Sequence, residues 1–321
     1  MAKQLSDEDL YVRINEYLQD VGNAFPLRNY VVEGEKVING WYLKAETITF
    51  KPGGSIWFSQ TAQERRTSFF IVAKDIVCED LNQPGLISWQ RREIGEQIST
   101  AGQAPTGHHG ESDGESGGDG QQGAKGNKGY DGKSAPNITI FVMNVPSSGP
   151  EVNFQGQKGG KGGMGQKGGD GGNGAKGKPA SQNIANCIRG AGDGGNGGNG
   201  GVGGQGGIGG EGGNGGVVTI VSIPEMLQSL EQKFRAVISA GEGGAGGEGG
   251  AGGNKGSGGP GGEKALPHCR GDGSRGNDGQ LGSSGSVGEN GQRGVDGDIF
   301  HGEMTKEEFD QYIWRDVQTF R

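Results

Sequence analysis

The sequence predicts a mainly β or extended fold, a short β-solenoid or sheet with an attached bundle of polyglycine-II helices and short N- and C-terminal α-helices. Glycine accounts for 74 of the 321 residues and recurs at every third position of five long runs. Short segments rich in β-branched and aromatic residues, typical of strands, precede and separate these runs. The apolar share of 30% is too low for one large hydrophobic core.

The chain divides into three predicted parts. Residues 1–100 form a helix and a β-strand domain, residues 101–299 hold the glycine runs interleaved with strands, and residues 300–321 form a C-terminal amphipathic helix. Ser6 can cap the first helix, over residues 6–21. The apolar face of that helix consists of Leu10, Ile14, Leu18 and Val21.

A weak repeat links residues 70–90, 140–157 and 219–241. Each segment has an apolar strand, a polar excursion and a second apolar stretch, which indicates successive coils of a solenoid. A plain antiparallel sheet of the same strands is the alternative. In the third segment Ser222 and Glu225 predict a capping box, with Pro224 in the first turn of a helix that reaches about Phe234.

The glycine runs cover residues 114–132, 156–177, 194–216, 243–262 and 273–297. A period of three residues is that of the polyproline-II conformation, which has no internal hydrogen bonds, so neighbouring runs must supply partners for the backbone. An intermolecular triple helix and a flexible linker are the alternatives. Facing runs could also pair lysines with carboxylates, namely Lys158, Lys161, Lys167 and Lys176 with Glu242, Glu248 and Glu263.

These triplet runs resemble two groups of polyglycine-II proteins, the receptor-binding adhesins of T-even-type phage tail fibres and the glycine-rich antifreeze proteins of snow fleas. The resemblance covers the five runs, about a third of the chain. In the adhesins specificity lies in tip loops between rods, which correspond here to residues 178–189 and 263–270. The resemblance therefore implies eight binding candidates: Lys178, Gln182, Asn183, Asn186, Arg189, Lys264, His268 and Arg270. Unlike the adhesin tips, these loops carry no aromatic residue.

The C-terminal helix is predicted to dock onto a larger assembly. Thr305 and Glu308 form a capping box at its start. The predicted docking residues are Phe309, Tyr312, Ile313, Trp314 and Phe320. Packing against the chain's own strands is the alternative.

Composition argues against several other classes. A net charge of −8 without a basic face disfavours nucleic-acid binding, and no apolar segment approaches the ~18 residues of a membrane span. The N-terminus lacks an apolar signal region, so we expect a cytoplasmic protein, or a virion or assembly component released without a Sec signal. The three cysteines, Cys78, Cys187 and Cys269, are expected to be free thiols.

The sequence contains no constellation that predicts catalysis, a metal site or a cofactor. Neither His108-His109 nor His268-Cys269 has a second pair at zinc spacing. We therefore expect a non-enzymatic structural or recognition scaffold that binds a protein or a cell-surface glycan, with homo-oligomerisation or a larger assembly possible. The alternatives are an ice-binding protein and a carbohydrate-active enzyme on the β-solenoid, although Asp75, Glu79 and Asp80 are expected to be surface residues.

Overall fold

The computed structural model describes residues 2–94 and 102–314. Its strands are β1 (Lys3–Gln4), β2 (Leu27–Val32), β3 (Glu35–Ile38), β4 (Tyr42–Phe50), β5 (Ser55–Phe58), β6 (Ser68–Cys78), β7 (Leu86–Trp89), β8 (Asn137–Asn144), β9 (Glu151–Asn153), β10 (Ser181–Gln182), β11 (Cys187–Arg189), β12 (Val218–Ser222), β13 (Arg235–Val237) and β14 (Ile299–Glu303). The α-helices are α1 (Asp7–Asp20), α2 (Gln60–Arg65), α3 (Pro224–Lys233) and α4 (Lys306–Glu308), and a π-helical turn follows at Phe309–Ile313.

Two parallel sheets organise the described residues. The seven-stranded sheet has the order β1-β14-β12-β8-β6-β4-β2, and the five-stranded sheet has the order β13-β9-β7-β5-β3. From β2 to β9 the chain alternates between the two sheets, and it does so again from β12 to β14. Strands from the glycine-rich part therefore complete sheets that begin in the N-terminal part.

The predicted fold class is wrong. The regular structure is an α/β arrangement of two open parallel sheets with short helices, and the sheets do not close into a solenoid. An antiparallel sheet is excluded too, because the strands within both sheets pair in parallel. The regular structure of the described residues is that of a parallel-sheet protein, and a bundle of polyglycine-II helices is not shown. Local patterns could not reveal this fold because β8, β12 and β14 pair across long stretches of glycine-rich chain.

The main hydrophobic core lies between the two sheets. It contains Phe50 from β4, Phe58 from β5, Trp89 from β7 and Ile140 from β8, all of them buried. The rings of Phe58 and Phe69 stack with their centroids 4.3 Å apart. Because the seven-stranded sheet is also covered on its other face, its central strands β6, β8 and β12 are nearly continuous apolar runs.

A second core covers the outer face of the seven-stranded sheet. Helix α1 and the C-terminal turn pack there on Phe70, Phe141 and Val221. The Tyr17 hydroxyl donates a buried hydrogen bond of 2.7 Å to the Ile313 carbonyl. This contact joins the two ends of the described chain.

Lys44 is buried in the second core. Its ammonium lies 5.7 Å from the centroids of the Tyr17 and Trp314 rings, which offer cation–π contacts. Lys74 also faces Trp314, at 4.7 Å. Burial disfavours the charged form and lowers the pKa of Lys44 to about 8, and it raises the pKa of Tyr17.

The glycine runs lie side by side and are joined by backbone hydrogen bonds at intervals of three residues. Gly204 donates to Gln166 in the second run and accepts from Gly250 in the fourth, both at 2.8 Å. The first and third runs are parallel, because their hydrogen-bonded residues keep the same separation in sequence. The Gly117 amide donates to Asn196 and the Gly132 amide donates to Glu211. The third and fourth runs are antiparallel. Gly241, just before the start of the fourth run, donates to Gly213, near the end of the third, whereas the later Gly250 donates to the earlier Gly204.

Close approach of these backbones depends on the missing side chain. A Cβ atom built on Gly204 would lie 1.9 Å from the Ala124 carbonyl oxygen, a distance that no real contact reaches. A Cβ atom built on Gly190, outside the runs, would meet nothing within 4 Å. Two predicted charge pairs also form, Lys161 with Glu248 of the fourth run at 4.0 Å and Lys176 with Glu263, just after that run, at 2.6 Å.

We expect Gly204→Ala to lower the free energy of unfolding by at least about 2 kcal/mol, because its methyl group would collide with backbone rather than with a movable side chain. Gly190→Ala is the matched control and should change that free energy by less than about 1 kcal/mol. Calorimetric unfolding measures both. Equal unfolding temperatures for the two variants would show that the runs are not packed this closely.

We expect the wild type to gain about 2 kcal/mol of stability over Lys44→Met between about pH 8 and 9.5, at 1.36 kcal/mol per unit of pKa shift. In this window the unfolded chain keeps the Lys44 proton and the folded chain has released it, so folding is favoured as the pH rises. The window ends below the range in which Tyr17 titrates. Denaturant unfolding at several pH values measures the difference, and parallel profiles for the two proteins would contradict the burial of the ammonium.

Candidate binding site at the distal loops

The topology places two loops at the ends of the glycine runs that lie farthest from the sheets. The second run leaves β9 and the third returns to β12, while the fourth leaves β13 and the fifth returns to β14. Residues 178–191 and 263–272 connect these pairs of runs. We call these two segments the distal loops.

The first distal loop is a small hairpin. Strands β10 and β11 pair in antiparallel fashion. The turn between them is closed by Asn183, whose amide N–H donates to the Asn186 carbonyl at 3.0 Å. The Asn183 side-chain oxygen also accepts from the amides of Ala185 and Asn186, at 2.9 and 2.7 Å. This side-chain turn fixes the loop and leaves Ile184 at its apex.

The second distal loop is a tight turn. Ala265 and Cys269 exchange two backbone hydrogen bonds, of 3.0 and 2.8 Å. Leu266, Pro267 and His268 lie between them and are exposed. Both loops therefore present an aliphatic side chain at or beside the apex.

A disulfide joins the two loops and corrects the expectation of three free thiols. Cys187 and Cys269 are bonded, with their Cα atoms 5.0 Å apart, whereas Cys78 is free and buried. An odd number of widely spaced cysteines concealed this pair, because 82 residues of sequence separate two positions that the folded runs bring together.

Side-chain hydrogen bonds reinforce the disulfide. The Gln182 side chain accepts from the His268 amide at 2.9 Å and donates to the Leu266 carbonyl. The His268 ring nitrogen Nε2 lies 3.1 Å from the Ile184 carbonyl. Gln182 and His268, two of the residues predicted from the sequence, thus build the contact between the loops.

The remaining polar candidates lie around the loops. Lys178 forms an ion pair with Asp113, and Lys264 forms one with Asp272 at 3.4 Å. The Lys264 amide, with some help from its ammonium, also lowers the pKa of Asp272. Asn186 caps the hairpin through its backbone, as described above.

Arg189 and Arg270 bond to neutral acceptors. Arg189 donates to the Pro179 carbonyl at 3.3 Å and Arg270 to the Pro267 carbonyl at 3.2 Å. The distal loops carry four cations and two carboxylates, Glu263 and Asp272, which gives them a charge of +2 in a chain of −8. The distal loops are therefore a cationic region on an acidic protein.

The sequence reasoning missed the aliphatic residues of the site. The exposed fractions of Ile184, Ile188 and Leu266 are 101%, 65% and 61%. Large apolar side chains exposed together on ordered loops often mark a binding surface. The sequence did contain a signal for them. These aliphatic residues stand in otherwise polar loops whose turns do not require an apolar side chain.

The predicted docking residues of the C-terminus mostly lie inside the protein. Phe309, Ile313 and Trp314 are buried in the second core, and Tyr312 is half-buried at its margin. These residues pack against the chain's own seven-stranded sheet, which is the alternative that the sequence left open. Phe320 lies outside the described residues.

The carboxylates weighed for catalysis have local structural partners. Asp75 accepts from Asn144 at 2.9 Å, Glu79 pairs with Lys51 at 2.7 Å, and Asp80 accepts from the Asn82 amide at 2.8 Å. Within residues 2–94 and 102–314, no group of three or more His, Cys, Asp or Glu side chains is placed to hold a metal ion. No helix of that part of the chain is long and apolar enough to cross a membrane.

Comparison with known proteins does not support the resemblance drawn from the sequence. No protein-family model matches the chain, and no curated protein matches it. One solved structure is similar at 24% identity, a springtail antifreeze protein from Granisotoma rainieri described as a bundle of nine polyproline type II helices. It aligns with 58% of this chain and 97% of its own, with a TM-score of 0.10.

The architectural resemblance to phage adhesins and snow flea antifreeze proteins is wrong, because the regular structure of the described residues is that of a protein with parallel sheets. A TM-score of 0.10 carries no argument about the fold. Low-complexity glycine triplets explain the error, because they match any glycine-rich repeat without indicating descent.

We expect alkylation of the unfolded chain without reductant to modify Cys78 alone, because Cys187 and Cys269 are bonded to each other. Addition of a reductant before alkylation should raise the number of modified cysteines from one to three. Peptide mass spectrometry identifies the sites. Three modified cysteines without reductant, in protein prepared under oxidising conditions, would show that the loops are not linked.

Proposed function

We propose that the protein is a non-enzymatic recognition scaffold that binds a protein or a cell-surface glycan through its distal loops. The observation that carries the proposal is the pair of disulfide-linked loops with Ile184, Ile188 and Leu266 exposed on them. Exposure of apolar side chains to water is unfavourable. Binding of a partner would remove this apolar surface from water.

The construction of the loops supports binding. A ligand surface that is already ordered loses little conformational entropy when its partner binds. Here the disulfide, the Asn183 turn and the Gln182–His268 contact each restrict the loops. Arg189 follows Ile188 directly and Arg270 lies four residues after Leu266, and both would favour a partner with negative charge.

The enzymatic alternative has less support. Asp75, Glu79 and Asp80 are engaged by an amide, an ammonium and a backbone N–H, as expected for structural carboxylates. None of these contacts joins one of the three carboxylates to a second carboxylate. The distal loops offer apolar and cationic groups instead, which suit binding rather than hydrolysis.

We expect Ile184→Asp combined with Leu266→Asp to weaken ligand binding at least tenfold, since both aliphatic apices become anionic. Leu281→Asp is the matched control, because Leu281 is an equally exposed aliphatic residue in the fifth glycine run. The full chain and both variants are screened on a glycan array and a displayed-peptide library, and the affinity of each hit is then measured.

The proposal requires at least one hit that the double variant loses and the control keeps. Hits that bind all three proteins equally would place binding elsewhere on the chain. Turnover of a glycan by the wild type would replace the recognition function with an enzymatic one.

A further inference from the structure

The two edges of the seven-stranded sheet are protected very differently. One edge is β1, which has two residues, and Lys3 in it is paired with Asp298 at 2.7 Å. Short, charged edge strands resist pairing with other chains. The other edge is the six-residue strand β2, which bonds only to β4 in that sheet.

The unprotected edges of both sheets come from one stretch of chain. Strand β3, which follows β2 directly, is the edge of the five-stranded sheet and bonds there to β5. Residues 25–38 therefore form one end of the sheet pair, which we call the β2–β3 end. The backbone groups on the outer side of β2 and β3 have no strand beside them among the described residues.

This end carries exposed apolar side chains as well as free strand edges. The exposed fractions of Phe25, Leu27, Val31 and Val37 are 74%, 50%, 45% and 42%. An exposed, hydrophobic edge strand is a template for pairing with another strand. An unpaired strand edge together with exposed apolar side chains is found in proteins that extend a sheet across an interface.

The charges at this end are self-complementary. Arg28 lies near the start of β2 and Glu33 just after its end, and β3 begins with Glu35 and Lys36. None of these four side chains forms an ion pair with another described residue. Two cations and two carboxylates give the end no net charge, although the chain as a whole carries −8. Two copies could therefore meet here without the repulsion that opposes contact elsewhere.

We propose that the β2–β3 end binds the same end of a second copy of this chain about a two-fold axis. Identical strands related by such an axis pair in antiparallel fashion. Arg28 of one copy then lies near Glu33 of the other, and the exposed apolar side chains of both copies are covered. Strands of six and four residues span only about 20 and 14 Å.

An interface of this size falls below the roughly 800 Å² per partner of standard complexes. The dimer is therefore weak, with a dissociation constant on the order of 10 µM, and is in exchange with monomer. This inference does not depend on the distal loops or on the proposed recognition function.

Sedimentation of the full-length chain over roughly 1 to 200 µM tests the proposal, with the weight-average mass expected to rise from monomer to dimer. Val31→Lys combined with Val37→Lys should keep the protein monomeric at every concentration. Val287→Lys is the matched control, because Val287 is an exposed valine in the fifth glycine run, and it should leave the dimer intact. Circular dichroism checks that each variant is folded.

The charge arrangement has its own test. Arg28→Glu should weaken the dimer at least fivefold, and addition of Glu33→Arg to the same chain should restore it. A wild type that stays monomeric throughout overturns the proposal and leaves the end open for an extended segment of another protein. A dimer that survives the double lysine substitution also overturns it, and failure of the reversed pair to restore binding rules out the antiparallel arrangement.

Discussion

Backbone hydrogen bonds between neighbouring glycine runs are the interaction on which the distal part of the structure depends. Each central run donates to and accepts from several neighbours, as Gly204 does with Gln166 and Gly250. A net contribution of about 1 kcal/mol per bond is modest, but the bonds recur at every third residue over the whole length of the runs. They work only because no Cβ atom separates the backbones, which is why an alanine at Gly204 would collide with the Ala124 carbonyl.

The two parallel sheets supply what glycine lacks, an apolar core that fixes the ends of the runs. Strands β8, β12 and β14 pair in register in one sheet, and β9 and β13 pair in the other. Each of the five runs therefore meets a strand at one end, and the first run leads into β8, whose residues belong to the core between the sheets. Ordering glycine costs more backbone entropy than ordering any other residue, so anchored ends are needed for the runs to stay aligned.

Short-range features of the fold were predictable from the sequence, and long-range features were not. Ser6 caps α1 as predicted, accepting from the Asp9 amide at 3.1 Å, and Thr305 and Glu308 form the predicted capping box. Helix α3 begins at Pro224 and ends near the predicted Phe234, yet Ile223 is its N-cap because the Ser222 hydroxyl is buried in β12 and donates to Val142 at 2.6 Å. The pairing of the glycine-rich part with the N-terminal strands was missed because partners such as Ser68 in β6 and Asn137 in β8 lie 69 residues apart and leave no local pattern. The disulfide was missed for the same reason.

At the candidate site, the sequence reasoning singled out polar residues and passed over the apolar ones. Loops between glycine runs directed attention to Gln182 and His268, whose hydrogen bonds turned out to join the two loops. Ile184, Ile188 and Leu266 passed unnoticed because an exposed aliphatic residue is unremarkable until its neighbours are known. These residues matter because the disulfide holds the two loops together. Without it, each loop would position its aliphatic residues independently of the other. A fixed apolar surface loses less entropy on binding than a mobile one, and the bond between Cys187 and Cys269 joins the two turns into one such ordered surface.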